Sequence, residues 1–177
     1  MTNQINRLLD QPLELMPSMV PDHSMTEARF SFHNHDDPDN PVIGKARRNM
    51  FLGHWCGYIM IPSGPFTECI ADRWTDSYGV ASHISTALGA GVTIHGGITY
   101  LELEEDDNLW IGFDCGHRRD FVPAVDQYDP GKADAEGREY RDIRYVEKNM
   151  RELADMVIDN REAILATIEA YMEDRRG

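Results

Sequence analysis

The stretch from Thr93 to Asp120, "TIHGGITYLELEEDDNLWIGFDCGHRRD", constrains the fold more than any other part of the chain. Thr99, Leu101 and Leu103 alternate with Tyr100, Glu102 and Glu104, and Leu109, Ile111, Phe113 and Cys115 alternate with Trp110, Gly112 and Asp114. A period of two belongs to strands that bury one face. The acidic "EDDN" between the arms has turn chemistry. The stretch therefore reads as a β-hairpin. With its turn centred between Asp106 and Asp107, Thr99 stands opposite Asp114, Ile98 opposite Cys115 and Gly96 opposite His117. "HGG" and "DCGH" then meet at the open end by ordinary strand pairing.

The remaining pattern fits around that hairpin. Val146, Met150, Leu153, Val157, Ile164, Ile168 and Tyr171 step by three, four or seven and predict one helical stripe over 142–173. Asn160-Arg161 interrupts it, which predicts a turn there or a dimer partner for the outer half. Gly57–Ile61 reads as a short buried strand ended by Pro62-Ser63-Gly64-Pro65. Residues 66–90 read as small-residue helix or loop, and Pro123–Tyr140 as an exposed loop rich in Pro, Gly and Asp. Pro12, Pro17, Pro21 and Pro38 limit residues 1–40 to an extended arm, with a short helix over Asn3–Leu9 and with His33 and His35 at a loop entrance. The expected class is α+β: one domain over 41–177, with a small, mainly antiparallel sheet and the C-terminal helix packed across one face.

Charge narrows the partners. The net charge is −14, and residues 89–177 carry 21 acidic against 11 basic side chains. No basic run exceeds two residues, which argues against direct nucleic-acid binding. The acid serves solubility, mimicry of a nucleic-acid backbone toward a basic protein groove, or attraction of cations to a carboxylate-lined site. Cys56, Cys69 and Cys115 lack a disulfide framework, so reduced thiols and a cytoplasmic setting are expected. The first residues do not read as a secretory signal, and no apolar run is long enough to span a bilayer.

The open end of the hairpin collects the chemistry. His95, Asp114 and His117 can act as catalytic acid–base groups. The same residues with Asp120 make a candidate set for a divalent metal such as zinc, with positions left open. Gly96 and Gly97 let a ligand approach the backbone, or mark a bulge that bends the strand. Thr99 and Tyr100 complete the candidate ligand-binding set. Two further readings compete. His54 and Cys56 with Cys115 and His117 would supply two sulfur and two nitrogen ligands to a structural zinc. Cys115 with His95 or His117 would pair a thiol nucleophile with a base. The chain has no HExxH, no HxE with PCxxC, no P-loop and no GxSxG, so the well-marked hydrolase and deaminase classes lose support.

"GYIMIPSGP", "HGGITY", "WIGFDCGHRRD" and "YRDIRYVEKNMRELADMV", in that order, resemble an uncharacterised family of small bacteriophage and bacterial proteins. The family pattern is a Gly-Tyr-Val strand ending in proline, then His-Gly-Gly-x-Thr-Tyr, then Trp-x-Gly-Phe-Asp-Cys-x-His-x-x-Asp, then a C-terminal helix. The resemblance covers roughly Gly57 to Val157. It carries over to His95, Gly96, Gly97, Thr99, Tyr100, Gly112, Phe113, Asp114, Cys115, His117 and Asp120. The chain departs from the pattern at Pro65-Phe66, where the family has His-Pro, and in a longer stretch before His95. The resemblance implies a phage or prophage setting and accessory work in an infected bacterial cell. Three functions follow as expectations. One is a metal-assisted or His/Asp-driven hydrolase of a small nucleotide-like substrate. Another is a non-catalytic anti-defence protein that sequesters a small ligand or blocks a host defence protein through its acidic surface. The third is an assembly protein that forms a homodimer through the C-terminal helix.

Overall fold

The computed structural model describes residues 22–33, 41–61, 94–103 and 108–160, with 162, 163, 166, 170 and 173 beyond them. The expectations for Asn3–Leu9, His35, Pro62–Pro65, residues 66–90, the hairpin tip at 104–107, and Ile164, Ile168 and Tyr171 lie outside the described residues.

Five strands form one antiparallel sheet: β1 (Glu27–Phe32), β2 (Val42–Arg48), β3 (Trp55–Ile61), β4 (Tyr100–Leu103) and β5 (Leu109–Asp114). Their order is β1-β2-β3-β5-β4, so β5 runs between β3 and the hairpin partner β4. Burial in β3 alternates strictly, with Trp55, Gly57, Ile59 and Ile61 inward. The helix that covers this face, here called α3, spans Ile143–Asp159 and buries Val146, Met150, Leu153 and Val157. These are the stripe residues the spacing of three and four picks out. Together the fold is α+β, with the helix on one sheet face as expected. Gly57 sits under the helix: a Cβ there would lie 2.9 Å from Met150 Cγ and 2.8 Å from Phe113 Cζ, so only glycine lets the helix pack this close. The opposite face is not bare. Trp110 and Lys45 are both buried there, with Lys45 Nζ 3.9 Å from the Trp110 ring centroid.

The hairpin register differs from expectation by one residue. Tyr100 pairs with Gly112 and Leu101 with Ile111. Directly opposed residues share a face. Leu101 is a core residue, so it must oppose another core residue, and Ile111 is one. The expected register would have set Leu101 against Gly112, on the other face. The connection between Leu103 and Leu109 is accordingly longer than a four-residue turn by one residue.

Two segments are more ordered than expected. Residues 27–32 of the expected arm form the edge strand β1, because Phe30 and Phe32 alternate with polar residues and Phe32 enters the core. Asp22 ties down the segment that leads into β1: its carboxylate accepts from Arg48 Nη2 (2.7 Å), Trp55 Nε1 (2.7 Å), Tyr140 Oη (2.6 Å) and the Ile143 backbone N–H (2.9 Å). The expected loop at Pro123–Tyr140 contains two short helices, α1 (Pro123–Asp126) and α2 (Pro130–Ala135). Each starts on a proline, which is preorganised for a first helical turn, and Asp129 caps α2 by accepting from Lys132 N. Arg138 bonds Asp126 Oδ1 at 2.8 Å and holds the pair of helices together.

Helix α3 is capped by Asp142, whose side chain accepts from Tyr145 N at 2.9 Å. It stops at Asn160, the turn that the interrupted stripe predicts. Among the described residues no helix is long and apolar enough to cross a membrane.

Candidate functional site

The segment before β4 is a turn rather than a strand. Gly97 N–H donates to Ile94 O at 3.2 Å, and Gly96 and Gly97 hold φ of 69° and 82°. This is the left-handed region, which glycine adopts at little cost. The turn swings His95 off the sheet and toward α3. Its backbone N–H donates to Asn149 Oδ1 at 2.9 Å, and its ring nitrogens contact Tyr145 Oη (Nδ1, 2.9 Å) and Asp120 Oδ2 (Nε2, 2.7 Å).

After β5 the chain makes a second turn, closed by Asp120 N–H donating to His117 O at 2.9 Å. That turn brings its two corner residues to His95. His117 Nδ1 lies 3.6 Å from Asp120 Oδ2, and the two imidazoles meet edge to face at 5.1 Å. Gly96 makes this approach feasible, because a Cβ there would stand 2.1 Å from His117 Cε1. The missing Cβ of Gly96 seats the protein's own imidazole. Gly97, by contrast, has no neighbour among the described residues within 4 Å of where a Cβ would be.

Asp120 is the centre of the arrangement. Its side chain is wholly buried, and it accepts from His95, from the His117 backbone N–H (2.9 Å) and from Arg141 Nε (3.1 Å). Burial alone would raise its pKa. The hydrogen bonds from His95 and His117 N–H, with Arg141 behind them, outweigh it and hold the carboxyl below the ordinary value of 3.8. Asp120 is therefore an anion that the fold keeps out of water. His95, His117 and Asp120 each offer one ligand atom, and the three atoms lie within 4.8 Å of one another.

Asp114 stands beside this trio. Its Oδ1 is 4.0 Å from His117 Nδ1 and accepts from Gly116 N, while Oδ2 accepts from Thr99 Oγ1 at 3.0 Å. It therefore fixes the base of the second turn. Tyr100 lies on the sheet face opposite Leu101 and packs edge-on against Tyr58 at 4.7 Å.

The four-ligand zinc reading does not assemble among the described residues. Cys56 pairs with Asp114, so its thiol and that of Cys115 occupy opposite faces of the sheet. Nor is either thiol primed as a nucleophile. Burial pushes Cys56 up to about 11 and drives Cys115 higher still. His54 lies beside the second turn, with its Cε1 3.0 Å from where a Gly116 Cβ would be. It is buried, its Nδ1 has no partner among the described residues, and burial lowers its pKa.

Tyr145, Asn149 and Arg141 complete the site, and sequence pattern alone did not single them out. Tyr145 and Asn149 are four apart, so they share one helix face, next to the apolar stripe. A polar pair at that spacing beside buried positions was the available signal.

Gly96→Ala tests the packing of the two turns. It forces a non-glycine residue into the left-handed region, at a cost of about 1–3 kcal/mol, and its methyl displaces the His117 ring. Urea denaturation should read the loss, and imidazole NMR should show His117 shifted while the sheet resonances stay in place. A native-like His117 signal would contradict the geometry.

No protein-family model, curated protein or solved structure matches the chain.

Proposed function

We propose that the protein binds one divalent cation of the zinc type through His95, His117 and Asp120 and uses it to hydrolyse a small nucleotide-like substrate. One observation carries this reading: three ligand atoms of metal-binding type converge within 4.8 Å around a buried carboxylate. Two imidazoles and one carboxylate are a known catalytic donor set, which leaves coordination positions for water or substrate. A cation there would polarise a substrate oxygen and lower the pKa of a bound water.

The surrounding residues suit this role. A cation on His95 Nε2 would take the place of the proton shared with Asp120 Oδ2, and that proton would move to Nδ1 of the same ring. Tyr145 Oη can then accept from His95 Nδ1, and Arg141 stays on the far oxygen of Asp120. Both are outer partners that orient a ligand. The motif resemblance adds a setting, accessory work in an infected bacterial cell.

The test is elemental analysis of purified, tag-free protein beside His117→Ala. Near-stoichiometric metal in the parent, lost in the variant, is the expected result. Phosphoesters and nucleotides are then screened for turnover. A parent protein that takes up no zinc, manganese or iron(II) on dialysis would sink the reading.

A second reading has its own observation. Met50, Phe51 and Leu52 are exposed on the β2–β3 turn, and Ala124 N–H donates to Leu52 O at 3.0 Å, next to exposed Val125 and Tyr128. An apolar group of this kind marks a protein-binding surface. It favours a non-catalytic anti-defence protein that blocks a host protein. Capture of a stable partner by a site-dead His117→Ala variant would separate this from hydrolysis.

A further inference from the structure

We infer that Arg118 and Arg119 form the phosphate-binding rim of this site, so that its substrate is a phosphate ester held by one guanidinium pair. The inference rests on the reading of the trio as a metal site, and it assigns a role to residues that reading leaves unused.

The argument begins with the second turn. His117 and Asp120 are its corners, joined by the Asp120 N–H to His117 O bond. Arg118 and Arg119 are its two central residues. The corners turn inward to His95, and both arginines are exposed. Consecutive Cα atoms are about 3.8 Å apart. Each guanidinium is thus carried on a residue directly adjacent to a site residue.

The turn is also held in place. Glu139 N–H donates to Arg119 O at 3.1 Å and Phe121 N–H donates to Glu139 O at 2.9 Å, on either side of the bridge between Asp120 and Glu139. The arginines therefore project from a fixed base, which limits the ordering cost of gripping an anion.

Pairing separates these two arginines from their neighbours. Arg141 is engaged by Asp120 and Glu139, and Arg138 by Asp126 and Glu136. Among the described residues, Arg118 and Arg119 take part in no ion pair and no side-chain hydrogen bond. Lys132 and Arg144 are also unpaired among the described residues, but only Arg118 and Arg119 are adjacent unpaired cations, in a chain of net charge −14. An anion meets two unpaired positive charges here.

Chemistry selects phosphate among anions. A guanidinium presents a planar fork that meets two phosphate oxygens at once. With a divalent cation at the trio, a guanidinium on the adjoining residues would add a second cationic group for the phosphoryl oxygens.

The test titrates inorganic phosphate into zinc-loaded protein by calorimetry, for the parent, Arg118→Gln/Arg119→Gln and Arg118→Lys/Arg119→Lys. Metal content is measured on every sample. The glutamine pair should keep its metal and bind phosphate at least about tenfold more weakly, the size expected from losing charge-assisted hydrogen bonds. The lysine pair should fall between the two. Unchanged phosphate affinity in the glutamine pair overturns the inference, as does a parent that shows no phosphate binding. Acetate competing as well as phosphate overturns the phosphate assignment. If the parent holds no metal, the metal reading fails on its own. The same titration on metal-free protein then still reads the arginines, since phosphate binding that is equal in parent and glutamine pair would reject them.

Discussion

Asp22→Ala should cost the protein about 3–5 kcal/mol of folding stability, the range for removing one partner from a buried ion pair. Asp22 and Arg48 are 10% and 6% exposed at their side chains and meet at 2.7 Å. Without the carboxylate, Arg48 keeps its bonds to Gly53 O and Met25 O but loses its counter-charge. The Trp55 indole N–H, the Tyr140 hydroxyl and the Ile143 N–H lose their acceptor at the same time. Urea denaturation of parent, Asp22→Ala and Asp22→Ala/Arg48→Met measures this. The double variant should recover part of the loss, because no charge is then stranded in the interior. A single-variant loss within the ordinary surface range, about 0.5 kcal/mol, would show that the N-terminal anchor is dispensable.

The same carboxylate sets an acid limit. Burial alone would raise its pKa, but bonds from Tyr140, Arg48 and Trp55 hold it below the ordinary 3.8. A depressed folded pKa gives stability that is full above the unfolded value and is lost as the pH falls through the folded one. The parent should therefore lose stability below about pH 4, and Asp22→Asn should show a shallower loss over that interval.

Asp120→Asn should have the second large effect, on the site rather than the fold. Losing only an outer partner of a metal ligand typically costs about 10–100-fold in affinity. Asp120 is itself the proposed ligand, so the loss should exceed about 100-fold by that standard. The amide keeps the size of the carboxylate, and the interior around it stays filled. It cannot neutralise Arg141 or accept equally from His95 and His117 N–H, so a stability cost of about 1–3 kcal/mol accompanies the change. Zinc competition against a chelating dye, at a denaturant-free temperature where both proteins are folded by circular dichroism, reads the affinity alone. Parent-like zinc affinity in a folded Asp120→Asn protein would remove the carboxylate from the ligand set.

These predictions meet at one structural fact. Asp22 and Asp120 are each buried anions that accept several donors from distant parts of the chain. Asp120 is legible in the sequence as a member of the His/Asp cluster at the open end of the hairpin. Asp22 is not, because it lies among prolines and polar residues that read as an arm. Its partners Arg48, Trp55 and Tyr140 are far away in sequence, and no local pattern connects them.

What the sequence determined by itself are the features that repeat over a few residues. The period of two marked β4 and β5, a short apolar run bounded by glycine and proline marked β3, and steps of three and four marked α3, because side-chain direction follows backbone period. The same local logic brought His95 and the Asp114–Asp120 segment to one end of a hairpin. Tertiary structure decided the rest. It set the register, since Leu101 had to share the core face with Ile111. It seated the His117 ring against Gly96. It drew Tyr145 and Asn149 of α3 and the neighbouring Arg141 onto the site, and moved Asp114 to its margin. Periodicity reports which way a side chain points from its own backbone. Which distant donors a buried carboxylate collects depends on how two packed layers meet, and that is a property of the whole fold.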